Sequence, residues 1–305
     1  VMAESNRKQA LNPVGADILP NPFGTAPGIY TPPRMSGDRL CALFLLPGPP
    51  GEMKPMFNTE VIPKLCALAD TSSEHVMRTL SFAGIGESDF HAQLDAELLA
   101  IPDLEVGYCA RPSEVDLRLI GSNDSIEKAI ELVLTTFSEE CFSQDEESLE
   151  KVVVKLLTEQ GKKLSLAESC TGGRIASRIT DVSGASAVFT HGFITYANEA
   201  KRDMIGVSED LINTHGAVSE EVAIAMAEGA LKTSGADIAL SVTGIAGPTG
   251  GTEDKPVGTV WIGLATLDKS FAVHKYHSHG REFFKQATSQ NALNMIRREL
   301  YHLSG

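Results

Sequence analysis

The chain has 305 residues, of which 42% are hydrophobic and 22% charged; this mix supports buried cores and excludes global disorder, and the length asks for two or three domains. Its 40 acidic residues against 26 basic ones give a net charge of −14, which repels phosphate backbones and sets general nucleic-acid binding aside while leaving room for a local basic pocket. Five cysteines, Cys41, Cys66, Cys109, Cys141 and Cys170, contain no Cys-x-x-Cys pair, so neither a disulfide framework nor a cysteine zinc site is indicated, and reduced thiols fit a cytoplasmic protein.

Residues 1–38 are rich in Pro, Gly and Asn and read as extended loops. The chain opens on Val1 without a charged-then-apolar leader, and its natural start is expected upstream. The apolar run 40–46 reads as a buried strand that needs parallel neighbours and cover on both faces. It stops at Pro47, far short of the ~20 residues of a membrane span, so no membrane partner is expected. Residues 52–68 have helical spacing, with Pro63 as a possible break. Next comes a small α+β module, with a helix over 90–99, an alternating strand over 114–120 and a helix from Ser125 to Phe137. The acidic stretch 143–147 links it to a regular alternation. That alternation runs helix 149–157 (capped by Gly161), strand 164–167, helix 172–180, strand 188–196, a short helix to Ile205 capped by Asn198, and helix 219–234. Strands 237–242 and 258–266 and a closing helix 282–302 complete it. The expected fold class is α/β: a layered C-terminal α/β domain over 145–305, preceded by the α+β module over 74–144 and a partial α/β domain over 1–73.

Three segments at strand ends carry groups suited to chemistry. Glu168-Ser-Cys-Thr-Gly-Gly173 lies between a strand and a helix. Backbone amides there can face an anion, glycine permits close approach, and Ser169 and Thr171 add hydroxyls. The plain structural alternative is an N-capped helix with a tight turn. Ser183-Gly-Ala-Ser186 is followed, one strand later, by Tyr196-Ala-Asn-Glu-Ala-Lys201. A serine needs a base to become a nucleophile, a buried lysine can serve, and a tyrosine can relay or orient the proton. Ser241-Val-Thr-Gly244-Ile-Ala-Gly247-Pro-Thr-Gly-Gly251 leaves a strand as a glycine-rich loop of the kind that meets ligands outside the carboxyl ends of α/β sheets. It is neither a Walker A motif nor a dinucleotide fingerprint. His274, His277 and His279 have no zinc-like spacing, and Gly184-Ala-Ser186-Ala-Val188 lacks the second glycine of a nucleophile elbow.

Together, Ala167-Glu-Ser-Cys-Thr-Gly-Gly173, Gly192-Phe-Ile-Thr-Tyr-Ala-Asn-Glu-Ala-Lys201, His215-Gly-Ala-Val-Ser219, Thr243-Gly-Ile-Ala-Gly-Pro248 and Lys255-Pro-Val-Gly-Thr-Val-Trp261 resemble, in order, the C-terminal domain of the CinA family, the competence-damage-inducible proteins. The resemblance implies a hydrolase of a carboxamide C–N bond, which converts nicotinamide mononucleotide to nicotinate mononucleotide and ammonia in pyridine nucleotide recycling. By the same resemblance Ser186 is the nucleophile and Tyr196 and Lys201 its partners. Ala185 departs from the pattern, since relatives often have a second serine there. Expected substrate contacts are Glu168, Ser169, Thr171, Gly172, Gly173, Asn198, Thr243, Gly244, Gly247 and Arg281. No cofactor or metal is implied for this reaction, and the protein is expected to be a cytoplasmic homodimer whose partner is the small nucleotide substrate.

Leu45-Leu-Pro-Gly-Pro-Pro-Gly-Glu-Met-Lys-Pro-Met-Phe57 and Gly84-Ile-Gly-Glu-Ser88 are similar to the family's N-terminal half. That half begins with a molybdopterin-binding-like domain linked to ADP-ribose pyrophosphatase activity. The first part of such a domain, with its Gly-Pro-Thr segment and acidic residues, is expected to be missing from this chain. Two alternatives follow from the resemblance: a nucleotide pyrophosphatase, for which a divalent metal would be needed, and a non-enzymatic competence-associated partner protein.

Overall fold

The structure is a computed structural model that describes residues 11–36, 39–68 and 75–302. The chain divides into two compact units, Val1–Glu74 and His75–Gly305. The first ten residues and the expected domain boundary at 73/74 lie outside the described residues.

In the first unit β1 (Asp17–Leu19), β2 (Gly28–Ser36) and β3 (Arg39–Leu45) form one sheet, and both pairings are antiparallel. This corrects two expectations. Part of the supposed loop region is strand, and the apolar run ending at Leu45 has an antiparallel neighbour rather than parallel ones. Pro32 and Pro33, which argue against a strand, sit where the β2–β3 register shifts between Thr31 and Arg34, and a bulge is where a sheet tolerates residues without an N–H. Helices α1 (Pro50–Met56) and α2 (Ile62–Leu68) flank a π-helical turn at Phe57–Val61. Pro63 therefore does not end the helical segment; the wider turn just before it accommodates the missing N–H. Leu19, Tyr30, Met56 and Val61 make this unit's core.

The second unit begins with β4 (Val76–Ala83), α3 (Glu87–Gln93), α4 (Asp95–Leu99), β5 (Leu104–Arg111), β6 (Glu114–Gly121), α5 (Asn123–Phe137) and β7 (Cys141–Ser143). The strands pair antiparallel in the order β5-β6-β4-β7. Strand alternation gives the sheet two unlike faces. Leu80, Phe82, Val115, Leu117 and Leu119 pack on Phe90, Ile126 and Val133 of the covering helices. Thr79, Ser81 and Asp116 lie on the other face, buried although polar. The expected helix over 90–99 is two short helices broken at Leu94.

The chain continues through α6 (Leu149–Glu159), β8 (Leu164–Glu168), α7 (Arg174–Thr180), a 3₁₀ turn at Ala185–Ala187, β9 (Phe189–Ile194), α8 (Asn198–Ile205), α9 (Glu209–His215) and α10 (Glu220–Ser234). It ends with β10 (Ile238–Gly244), β11 (Thr259–Thr266), β12 (Ser270–Tyr276) and α11 (Arg281–His302). The sheet order is β12-β11-β10-β8-β9. β8 runs parallel to both β9 and β10, while β11 and β12 pair antiparallel. Every residue of β8 is buried, as expected of a strand covered on both faces. Leu164, Leu166, Leu240 and Val242 pack against Val153, Ile175 and Ile296 of α6, α7 and α11. Ala167 and Ala239 face Val222, Met226 and Ala230 of α10. Small residues let α10 come close: a Cβ on Gly263 would lie 2.5 Å from the Ala223 carbonyl oxygen. This is the layered α/β arrangement expected from the alternating pattern.

Helix α11 ties the two sheets of this unit together. Arg297, 2% exposed, donates to the carbonyls of Glu139 (2.5 Å) and Cys141 (3.0 Å) and to Asn294 Oδ1 (2.9 Å). Among the described residues no helix is long and apolar enough to cross a membrane.

Candidate active site

The three parallel strands deliver their last residues to one edge. Glu168 is in register with Ile194 on one side and Val242 on the other. The residues that follow, Ser169, Thr195-Tyr196 and Thr243-Gly244, therefore converge where α/β sheets place ligands.

Glu168 fixes the first of these segments. The side chain is 1% exposed, and its carboxylate accepts from Thr171 Oγ1 (2.6 Å) and from the amides of Gly173 (3.0 Å), Ile175 (3.1 Å) and Ala176 (2.8 Å). The three amides are donors a helix start leaves unsatisfied, and with the hydroxyl they hold the buried carboxyl group by four hydrogen bonds. Gly172 at φ 61° and Gly173 at φ 92° make the tight turn possible. Glu168, Thr171 and Gly173, expected as substrate contacts, are tied to one another in this turn.

The turn leaves Ser169 at the sheet edge beside Lys201. Lys201 lies one helical turn into α8, and its side chain reaches back toward the helix start. Its Nζ is 2.9 Å from the Thr195 carbonyl and 3.3 Å from Ser169 Oγ. The residue is 1% exposed, and no carboxylate pairs with it among the described residues. Burial therefore pushes its pKa below the usual lysine value, against weaker upward pulls from Cys170 and Glu199. The neighbouring Cys170 packs in the core, and burial pushes its thiol up to about 12, so of the two side chains the Ser169 hydroxyl is the one beside the Lys201 amine. Asn198 does not cap α8, contrary to expectation. Ala197 occupies that position, and Asn198 is exposed as the first helical residue.

A second group reaches the same edge from α11. Arg281 donates to the Tyr196 hydroxyl (2.9 Å) and to the Gly247 carbonyl (2.9 Å). It thereby joins the end of β9 to the glycine-rich loop. Lys255 anchors that loop farther along through the His215 carbonyl (2.7 Å). Gly244 has no room for a side chain, since a Cβ there would meet Thr259 O at 2.7 Å and the Phe284 ring at 2.9 Å. Thr243, expected to contact substrate, is 1% exposed and donates to the Ala217 carbonyl at 2.7 Å, so its hydroxyl is also engaged internally.

Ser186 is not part of this cluster. It is exposed in the 3₁₀ turn that precedes β9, whereas Tyr196 and Lys201 follow that strand. Six residues of β9 span about 20 Å. No hydrogen bond among the described residues joins Ser186 to Tyr196 or Lys201. Within one chain the structure thus brings together Ser169 and Lys201, and separately Tyr196, Arg281 and Gly247, while Ser186 stands at the opposite end of the sheet. The Thr195 carbonyl and the Arg281–Tyr196 bond were not foreseen. The first belongs to the backbone, which no motif marks, and the second spans 85 positions.

The CinA C-terminal domain model matches residues 146–300, and the model of the damage-inducible protein CinA KH domain matches residues 77–139. The chain belongs to the CinA family. It is 47% identical over 293 residues to a CinA-like protein of Akkermansia muciniphila, covering 96% of this chain and 70% of that protein. It is 45% identical over 306 residues to a putative competence-damage inducible protein of Caldicellulosiruptor bescii, covering 98% and 73% respectively. Among solved structures, the competence/damage inducible protein CihA of Agrobacterium tumefaciens shares 44% identity. That match covers 48% of this chain and 91% of CihA, with a TM-score of 0.48. The CinA C-terminal match contains the whole sheet edge described above.

Proposed function

We propose that the CinA C-terminal domain of this chain is a serine–lysine amidohydrolase that converts nicotinamide mononucleotide to nicotinate mononucleotide and ammonia. One observation carries the chemistry: a buried lysine amine without a carboxylate partner, 3.3 Å from the hydroxyl of Ser169. Uncharged, the amine donates to the Thr195 carbonyl and accepts the Ser169 proton. Ser169 Oγ attacks the carboxamide carbon, and Lys201 takes the proton. Collapse of the tetrahedral intermediate breaks the C–N bond, and the nitrogen leaves as ammonia with the proton that Lys201 returns. Tyr196 assists by donating to the departing nitrogen. Its oxygen already accepts from Arg281, which leaves its O–H free to hydrogen-bond to that nitrogen without transferring its proton. Water then attacks the Ser169 ester with Lys201 again as base, which releases the carboxylate and restores the hydroxyl. The nucleophile role that the resemblance gives Ser186 passes in this reading to Ser169. In the same reading the enzyme is a cytoplasmic homodimer that acts on a small nucleotide without a cofactor.

The test measures ammonia and nicotinate mononucleotide formed from nicotinamide mononucleotide, with a chelator present, for the wild type, Ser169→Ala and Ser186→Ala. Wild-type turnover is expected to fall by about 10⁴-fold or more in Ser169→Ala and to stay within a few-fold in Ser186→Ala. No turnover by a folded wild type would overturn the function. Loss in Ser186→Ala with retention in Ser169→Ala would overturn the assignment of the nucleophile.

A further inference from the structure

A cavity of about 910 Å³ lies between the polar face of the four-stranded sheet and helices α7 and α11. It is as large as small-molecule sites usually are, and it does not contain Ser169 or Lys201. No Phe, Tyr, Trp or His lines it. A heterocyclic base would find no aromatic ring to stack on, whereas hydroxyls would find many partners in Ser177, Ser289, Gln286 and the carboxylates of the sheet face. Those carboxylates already have cations: Arg111 lies 2.5 Å from both Glu114 and Asp116, and Arg178 lies 2.6 Å from Glu150. Their remaining lone pairs can accept from hydroxyl groups.

The cations at the other end are not so committed. Lys285 makes no hydrogen bond or ion pair among the described residues, and its Nζ lies 3.9 Å from where a Cβ on Gly172 would sit. Arg174 pairs with Glu282, whose side chain is 76% exposed. Such a surface pair is weak and readily exchanged for a stronger anion. Both line this cavity, and a phosphate offers three oxygens to a lysine and an arginine.

We propose that this cavity binds a phosphorylated sugar, with the phosphate on Lys285 and Arg174 and the sugar hydroxyls on the polar side chains and carboxylates of the opposite wall. Two sources share this chemistry, a free sugar phosphate and the sugar-phosphate half of a nucleotide. The proposal does not depend on the amidohydrolase reading, because its readout is binding.

Titration calorimetry on the full chain would compare ribose 5-phosphate with inorganic phosphate and with ribose. Ribose 5-phosphate is expected to bind at least about ten-fold more tightly than either fragment, to lose about ten-fold or more in Lys285→Gln, and to be retained in Lys285→Arg. Ser177→Phe, which fills the cavity from an exposed position of α7, is expected to weaken binding as well, with circular dichroism confirming the fold of each variant. Displacement of ribose 5-phosphate by nicotinamide mononucleotide would assign the site to the nucleotide's sugar-phosphate half, and its absence to a free sugar phosphate. No saturable binding, or binding unchanged in both Lys285→Gln and Ser177→Phe, would overturn the proposal.

Discussion

Replacing Lys201 by Met separates the chemistry of the buried amine from its effect on stability. In the folded chain burial lowers the Lys201 pKa below the ordinary lysine value of 10.5. Between the folded value and 10.5 the unfolded chain therefore holds one proton more than the native one. The unfolding free energy rises with pH through that window. Below the folded value the wild type carries the full penalty, about 1.4 kcal/mol for each unit of separation. Met removes this penalty while keeping most of the volume. It also removes the donor to the Thr195 carbonyl, and an unpaired buried acceptor costs about 1–3 kcal/mol. The two effects oppose each other, so at neutral pH the variant is expected to lie within about 2 kcal/mol of the wild type. Turnover is expected to fall by about 10²–10⁴-fold, the contribution of a general base. Urea denaturation of both proteins at intervals between pH 7 and 10 gives the decisive comparison, because other titrations cancel in the difference. The wild type should gain on Lys201→Met as pH rises above the folded pKa. Its kcat/KM should rise with pH to a plateau reached below 10.5. A stability difference that shrinks for the wild type as pH rises, or a kinetic pKa at or above 10.5, would refute the reasoning.

Two further outcomes follow from packing and hydrogen bonds. Arg281→Lys loses the forked contact to Tyr196 and Gly247, so kcat is expected to fall about ten-fold with little change in thermal midpoint. Steady-state kinetics with an unchanged kcat would remove Arg281 from the positioning of Tyr196. A Cβ on Gly229 of α10 would overlap the Ile205 carbonyl oxygen, so Gly229→Ala is expected to cost about 1–3 kcal/mol despite its better helix propensity. A denaturation midpoint equal to or above that of the wild type would show that α8 and α10 can separate freely.

The parts of the fold that are legible in the sequence are those whose side chains all meet the same environment. β8 and β10 lie between helical layers, and their unbroken small and apolar runs mark them. Strands with a solvent-facing or polar side are harder to read. β12 alternates around His274 and Lys275 with an exposed end, and β4 begins with exposed residues before its buried half. β2 carries two prolines that only the register shift explains. The same limit governs the site. Ser169, Ser186, Tyr196 and Lys201 all stand out as residue types, but motif order says nothing about which end of a strand a residue occupies. Ser186 and Lys201 are 15 positions apart (201 minus 186) yet bracket β9. Ser169 and Lys201 are 32 apart yet follow adjacent parallel strands. Parallel pairing, rather than separation along the chain, sets the neighbourhood.

The two buried ionisable groups at this edge have different surroundings, which burial alone would not predict. Glu168 and Lys201 are both 1% exposed, yet they do not pair with each other. Glu168 receives four donors from the turn it closes, so its oxygens are engaged there. Lys201 receives only one carbonyl and one hydroxyl, and burial lowers its pKa below the usual lysine value. By turning Glu168 toward the amides at the start of α7, the Ser169–Gly173 segment locks the backbone of Ser169. The glycines at positive φ make this possible, because only they let the chain fold back far enough for the amides to reach the carboxylate.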